Sequence, residues 1–182
     1  HRLDRPVAAH AMGLEGIRAA IIAGVDSIEH GYGLDEQSID WMVQNGIYWC
    51  PTIYVAVWVA DGRPPIAKAM VDLERDAFAL ALKKGVKIAY GTDVGGYAWT
   101  ENQAKELAYM VRYGMTPMQA IQSATVVASE LLSAQDDLGS LEPGHYADLI
   151  AVKGDPLQDV EELQRVRFVM KGGVVFKNEL MP

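Results

Sequence analysis

Cysteine is nearly missing: Cys50 is the only one in 182 residues. A disulfide framework within the chain is therefore excluded. Cys50 lies in the apolar run "IYWCPTIYV" and is expected to be a buried small hydrophobe. Positive charge is also scarce, with 16 Lys and Arg against 24 Asp and Glu, a net charge of -8. That balance argues against a nucleic-acid partner, because phosphate binding needs a basic face. No apolar run approaches the roughly eighteen residues of a membrane span, so no membrane partner is expected. There is no G-x-S-x-G elbow, no P-loop and no G-x-G-x-x-G, so serine-acyl chemistry and nucleotide binding have no motif behind them. Low-complexity tracts and solenoid repeats are absent too.

What is present is a globular composition, half hydrophobic and 22% charged. Strand and helix signals alternate along it. Pro6 to His10 is a short apolar strand. Leu14, Ile17 and Ile21 then recur at helical spacing up to Gly24. Val25 to His30 is a second strand. Asp35 is an N-cap for a helix with Ile39, Met42 and Val43 on its stripe, ended by Gly46. "IYWCPTIYV" is taken as a third strand, with Pro51 at its end or at a bulge. A helix carrying Ile66, Met70, Leu73, Ala77 and Leu80 on one face follows and closes at Gly85. "VKIAY" is a fourth strand and runs into "GTDVGG".

Thr100 with Gln103 predicts a capping box for a helix reaching Gly114. Thr116, Pro117 and Gln119 repeat the device with proline at the first helical position. Ile121, Ala124, Ala128 and Leu131 continue the apolar face. After about Leu138 the pattern changes to turns and strands, with a hairpin across Gly172 and Gly173. Four strands each followed by a helix predict a parallel sheet with right-handed crossovers. Ligands of such sheets bind at the carboxyl ends of the strands.

His10, His30 and Asp93 all fall at those ends. Alternation puts His10 with Ala8 and Pro6, His30 with Ile28, and Asp93 with Gly91. If those faces converge, two imidazoles and a carboxylate suit a divalent metal such as Zn2+. Each residue alone has a plainer reading: a histidine after an apolar strand is commonly hydrogen-bonded in the core, and an Asp after Gly-Thr commonly caps a turn. Glu29 is expected to point the other way from His30, toward the helices.

Together these segments resemble the amidohydrolase superfamily, in particular its imidazolonepropionase-like and dipeptidase-like metal-dependent hydrolases. The resemblance rests on "RPVAAHAMG", "AGVDSIEHG", "PTIYV", "GVKIAYGTDVG", "ENQAKELAYMVRYGMTPMQAIQSAT" and "LGSLEPGHYADLIAV…GDPL…VMKGGVVF". It implies an α/β fold: the C-terminal half of a (β/α)8 TIM-type barrel, strands five to eight, plus the C-terminal strands of a small β-sandwich. Residues 1–138 would be the barrel half and 139–182 the sandwich part. His10, His30 and Asp93 would be metal ligands, holding one or two ions in the complete site.

Asp93 would also carry protons during attack by a metal-activated water on a C–N bond of an amide, peptide or cyclic amide. Tyr54, Glu101 and Asn102 are candidates to face the substrate, and Tyr54 is equally readable as core. Tyr97 and Trp99 would line or cover the pocket. His145, in a turn of the tail, and His1, at the terminus, are given no catalytic role.

This sequence departs from the family pattern in places. It has no first-strand His-x-His pair and no fourth-strand lysine of the kind that is carboxylated in binuclear members. Met12 stands where relatives often have histidine, and "AWTEN" stands where they often have "PHGEN". The resemblance places the start of the sequence just before the fifth strand. The alternative to an enzyme is thus a catalytically incomplete fragment, homo-oligomeric or completed by a partner chain that supplies the first barrel half. A cytoplasmic location is expected, with a secretory leader left open by the missing initiator methionine.

Overall fold

In the computed structural model, which describes Leu3 and residues 5–180, two three-stranded sheets are built from different parts of the chain. His1 lies outside the described residues. The first sheet is parallel, in the order β1 (Ala8–Ala11), β2 (Ser27–His30), β3 (Tyr48–Cys50). Helix α1 (Leu14–Ala23) crosses from β1 to β2, and α2 (Glu36–Asn45) from β2 to β3. Asp35 caps α2 by accepting from the Ser38 N–H at 2.9 Å, and Gly24 and Gly46 end the two helices in left-handed conformation. The helices bury Ile17, Ile21, Ile39 and Met42 against Ile28 and Trp49 of the sheet.

Two of the expected strands turn out otherwise. "IYWCPTIYV" stops as a strand at Cys50, and Ile53–Ala60 is helix α3. Pro51 has no N–H for the ladder, Thr52 turns left-handed at φ 54°, and the chain re-enters as helix. A short apolar run fits a strand and a buried helix equally, so the pattern could not separate them. "VKIAY" is reduced to a single parallel bridge, Ile88 to Trp49, flanked by Trp49 N–H to Lys87 O and Ala89 N–H to Trp49 O at 2.9 Å each.

Helix α4 (Pro65–Lys84) exists and ends at Gly85, but its buried face is Glu74, Ala77, Phe78 and Ala81. Ile66 and Leu73 are 71% and 63% exposed. Helical spacing defines a stripe but not which neighbours arrive to cover it. Phe78, packed on Trp49 and Tyr113 with ring centroids 5.9 Å away in each case, sets the helix's rotation.

Helix α5 (Lys105–Arg112) starts later than expected: the Thr100 box does not form, and Asn102 Oδ1 instead accepts from the Ala104 N–H at 3.0 Å. The Thr116–Gln119 capping box forms and opens α6 (Pro117–Ser123). Thr125 then breaks the helix before α7 (Val126–Leu131).

The second sheet is antiparallel, β4 (Leu149–Ala151), β5 (Phe168–Lys171), β6 (Val174–Asn178), with the expected hairpin over Gly172 and Gly173. A 3₁₀ helix, Val160–Gln164, joins it to α5 through Val160 in the core, Arg112 on Glu161 at 3.1 Å, and Asn102 Nδ2 donating to Gln164 O at 2.8 Å.

Candidate active site

The register of the parallel sheet decides which side chains share a face. His10 lies beside Glu29, and Glu29 beside Cys50; Ala11 lies beside His30. Neighbours in register point the same way. The row Ala9, Ile28, Trp49 faces the helices, since Ile28 and Trp49 are fully buried among them. The row His10, Glu29, Cys50 therefore faces the opposite side. This corrects the expectation for Glu29: it shares the side of His10, where it accepts from Ser27 Oγ at 2.5 Å.

Strict alternation would then send His30 to the helix side, away from His10. It does not go there. His30 has φ 70°, a left-handed conformation uncommon for a residue with a side chain. The turn swings the ring across, and the His10 and His30 rings meet edge to face with centroids 4.5 Å apart. The expectation that His30 shares a face with Ile28 is thus also corrected, and the backbone twist is the reason. Gly31, itself at φ 70°, makes room: a Cβ there would lie 2.8 Å from Trp49 Nε1, which donates to His30 O at 2.9 Å.

The two histidines differ in setting. His10 is exposed and His30 is 8% exposed. His30 Nδ1 shares a 2.8 Å hydrogen bond with Thr52 Oγ1, and Tyr32 Oη lies 3.4 Å from the same hydroxyl. Burial holds the His30 pKa below its usual value, reinforced by His10 and opposed by Asp93 and Glu29. In the neutral tautomer whose Nδ1 donates to Thr52 Oγ1, Nε2 is the lone-pair nitrogen, the form that a metal ligand takes; in the other tautomer Nδ1 accepts and Nε2 carries the proton.

Asp93 sits in an exposed turn at φ 50°, its carbonyl accepting from the Gly96 N–H at 3.0 Å. Its charge reaches His30, but among the described residues no three of His, Cys, Asp and Glu are gathered as a metal-holding group. The imidazole pair is thus brought together, and Asp93 stands nearby in its own loop. Cys50 is buried, and burial pushes its thiol well up; Gly91 packs on it so closely that a Cβ would lie 2.3 Å from Sγ.

Tyr54, on the first turn of α3, is 7% exposed and stands in an aromatic group with Tyr97, Tyr109 and Trp58. Its hydroxyl donates to Glu101 Oε2 at 3.1 Å and accepts from Lys105 Nζ at 3.2 Å, while Lys105 also pairs with Glu101. Tyr54 and Glu101 therefore come together. Asn102 does not join them: both its polar atoms are used in the turn before α5 and in the tie to Gln164. Trp99 is 72% exposed, and His145 bonds Ser140 at 3.1 Å in the tail.

Two residues at the site escaped the sequence reading. Thr52 was legible in principle, because Pro-Thr ahead of an apolar run is a helix-start signal. Glu106 had no signal. It lies in the first turn of α5, fully buried, and its two carboxylate oxygens accept from the N–H groups of Ile53 and Tyr54 at 2.7 Å each.

Successive βα units with paired imidazoles at the strand ends make an α/β fold similar to that of amidohydrolase barrel proteins. The chain belongs to the Amidohydrolase family, whose model matches residues 1–176. It is similar to the ochratoxinase of Aspergillus niger, 38% identical over 97% of this chain and 39% of that protein. The crystal structure of that ochratoxinase superposes with a TM-score of 0.85, covering 100% of this chain and 43% of that one. The crystal structure of an Xaa-Pro dipeptidase with methionine bound in its active site superposes with a TM-score of 0.89 at 45% identity, covering 95% and 45% of the two chains. The chain thus spans less than half the length of these relatives.

Proposed function

We propose that this chain contributes to a metal-dependent hydrolase of C–N bonds, amide, peptide or cyclic amide, with dipeptides and N-acyl amino acids as the first substrates to test. The observation that carries the reading is the His10–His30 pair, forced together at the strand ends by a left-handed histidine whose second nitrogen is already tied to Thr52. In this reading His10 and His30 would hold a divalent ion, Zn2+ being the first candidate, with Asp93 as the carboxylate of the set. The ion, when bound, would lower the pKa of water toward about 7 and polarise the substrate carbonyl. Asp93, exposed at the rim, would take a proton and hand it to the leaving nitrogen. Tyr54 would orient the substrate through its hydroxyl, which Glu101 and Lys105 hold in place.

Residues 1–138 would form barrel units and 139–182 part of the flanking sandwich. The family match and the dipeptidase and ochratoxinase neighbours support the enzymatic reading over a purely structural one. The test is zinc titration of the metal-free protein, followed by metal analysis of His10→Ala and His30→Ala. Both substitutions should abolish stoichiometric zinc. Unchanged metal content in either would remove that residue from the ligand set.

A further inference from the structure

Thr52 is β-branched and left-handed, at φ 54° and ψ 50°, a conformation that such residues avoid unless the surroundings impose it. Its hydroxyl is also the partner of His30 Nδ1. No side chain of its own segment caps α3: Thr52 makes no cap bond to that helix. The first N–H groups of α3 are bound instead by Glu106, fifty-three residues away from Ile53 and on another helix. Those N–H groups belong to the two peptides that follow Thr52 and Ile53, so binding both fixes ψ of Thr52 and the direction of the chain on which its hydroxyl sits. A carboxylate suits the task because each oxygen serves one donor.

We propose that Glu106 is a positioning residue for the site: by gripping the Ile53 and Tyr54 N–H groups it holds Thr52 in its left-handed turn, and through the Thr52 hydroxyl it sets the ring of His30. The chain of contacts is continuous, from buried carboxylate to two amides, to one hydroxyl, to one imidazole. The same grip fixes the first turn of α3 and so the base of the Tyr54 side chain, whose far end Glu101 and Lys105 hold. Helix α5 and the loop before it thus restrain Tyr54 at both ends. The consequence for metal affinity rests on the reading of His30 as a ligand; the positioning itself does not.

The experiment uses the metal-free chain with 15N-labelled histidine. Thr52→Val removes the hydroxyl at nearly constant shape and should shift the His30 ring nitrogens. Glu106→Gln, which offers one acceptor where two are needed, should shift them in the same sense, and should add little in the Thr52→Val background. Independent shifts that simply add, or a folded Glu106→Gln protein with His30 signals unmoved, would overturn the proposal.

Hydrogen exchange in the unmodified protein supplies a readout that needs no variant: the Ile53 and Tyr54 amides should be strongly protected. If they exchange like unbound amides, the grip does not exist and the proposal fails. Zinc titration separates the two ideas. With the coupling present, both variants should weaken zinc by about tenfold to a hundredfold. Coupling without any zinc binding upholds the positioning and overturns the metal reading.

Discussion

The rim of the parallel sheet and the antiparallel tail solve the same problem, turning a chain sharply, in opposite ways. In the tail, every left-handed turn within residues 139–178 is a glycine: Gly139, Gly144, Gly172 and Gly173. At the rim, the left-handed residues include His30, Thr52 and Asp93, each with a side chain that carries chemistry. Glycine adopts that conformation without penalty, whereas the others cost on the order of 1–3 kcal/mol each and must be held by what surrounds them. The surroundings match. The rim rests on fully buried Trp49, Ile28 and Glu106, while no residue of β4, β5 or β6 is buried. At His30 and Thr52 the strain is held by dense packing, and those two residues join through one hydrogen bond at the candidate site, whereas Asp93 and Ser133 turn left-handed in exposed segments.

The comparison breaks most easily at Trp49. It is fully buried, packs against Phe78 with the rings tilted, and donates to the His30 carbonyl. Trp49→Ala should cost about 3–5 kcal/mol in urea denaturation and loosen the His10–His30 pair. Val175→Ala in β6, at 47% exposure, should stay within about 0.5 kcal/mol. Similar losses at the two positions would mean that rim and tail are equally packed, and the contrast would fall.

That contrast also marks what the sequence could and could not disclose. Local signals were legible: the Asp35 cap, the Gly24 and Gly46 stops, the Thr116 box and the glycine hairpin all depend on neighbours a few residues apart. Strand ends bearing His10 and His30 were legible for the same reason. The faces were not. Alternation assigns a side chain to a side only while the backbone stays extended, and His30 leaves that region at the residue that matters. Long-range partners were hidden as well. The cap of α3 comes from Glu106, and nothing near Ile53 announces it.

A second way to sharpen the comparison uses acid–base linkage. Glu74 is buried with neither carboxylate oxygen hydrogen-bonded, and desolvation, with Glu106 nearby, pushes its pKa up to about 9. Glu106 is pushed up to about 7 by burial, against the pull of its two N–H partners. Between the ordinary carboxylate pKa of 4.5 and about 9, the unfolded chain has released the Glu74 proton and the folded chain still holds it. The unfolded state then binds fewer protons, so stability falls as pH rises through that window, by at most about 1.4 kcal/mol per pH unit for this group.

His30, with its lowered pKa, works in the opposite sense near its ordinary value of 6.5, so the difference between variants is the cleaner measure. Glu74→Gln should flatten the decline most clearly above about pH 8, because Glu106, with its pKa pushed up to about 7, has by then released nearly all of its proton. An unchanged slope in that variant would mean that Glu74 is ionised in the folded protein.

The smallest effect belongs to the tail's charges. Glu179 pairs with Arg167 at 3.2 Å and with Lys177 at 3.3 Å, and all three side chains are between 41% and 50% exposed. Water screens such pairs, and ordering the long side chains offsets most of the attraction. Glu179→Gln should therefore change the urea midpoint by no more than the equivalent of about 0.5 kcal/mol, and added salt should shrink whatever difference remains.

The alternative is that the antiparallel sheet, having no buried side chain, depends on ion pairs for its place beside α5. Loss of more than about 1 kcal/mol that shrinks with added salt and is largely restored by Glu179→Asp would favour that alternative. The geometry argues against it. The tail's firm attachments are the buried Val160, the Asn102 tie to Gln164 O, and the Asp148 carboxylate that accepts from the Gly172 N–H at 2.5 Å to pin the hairpin. None of these passes through Glu179. The glycine turns carry no strain that surface charge would have to oppose.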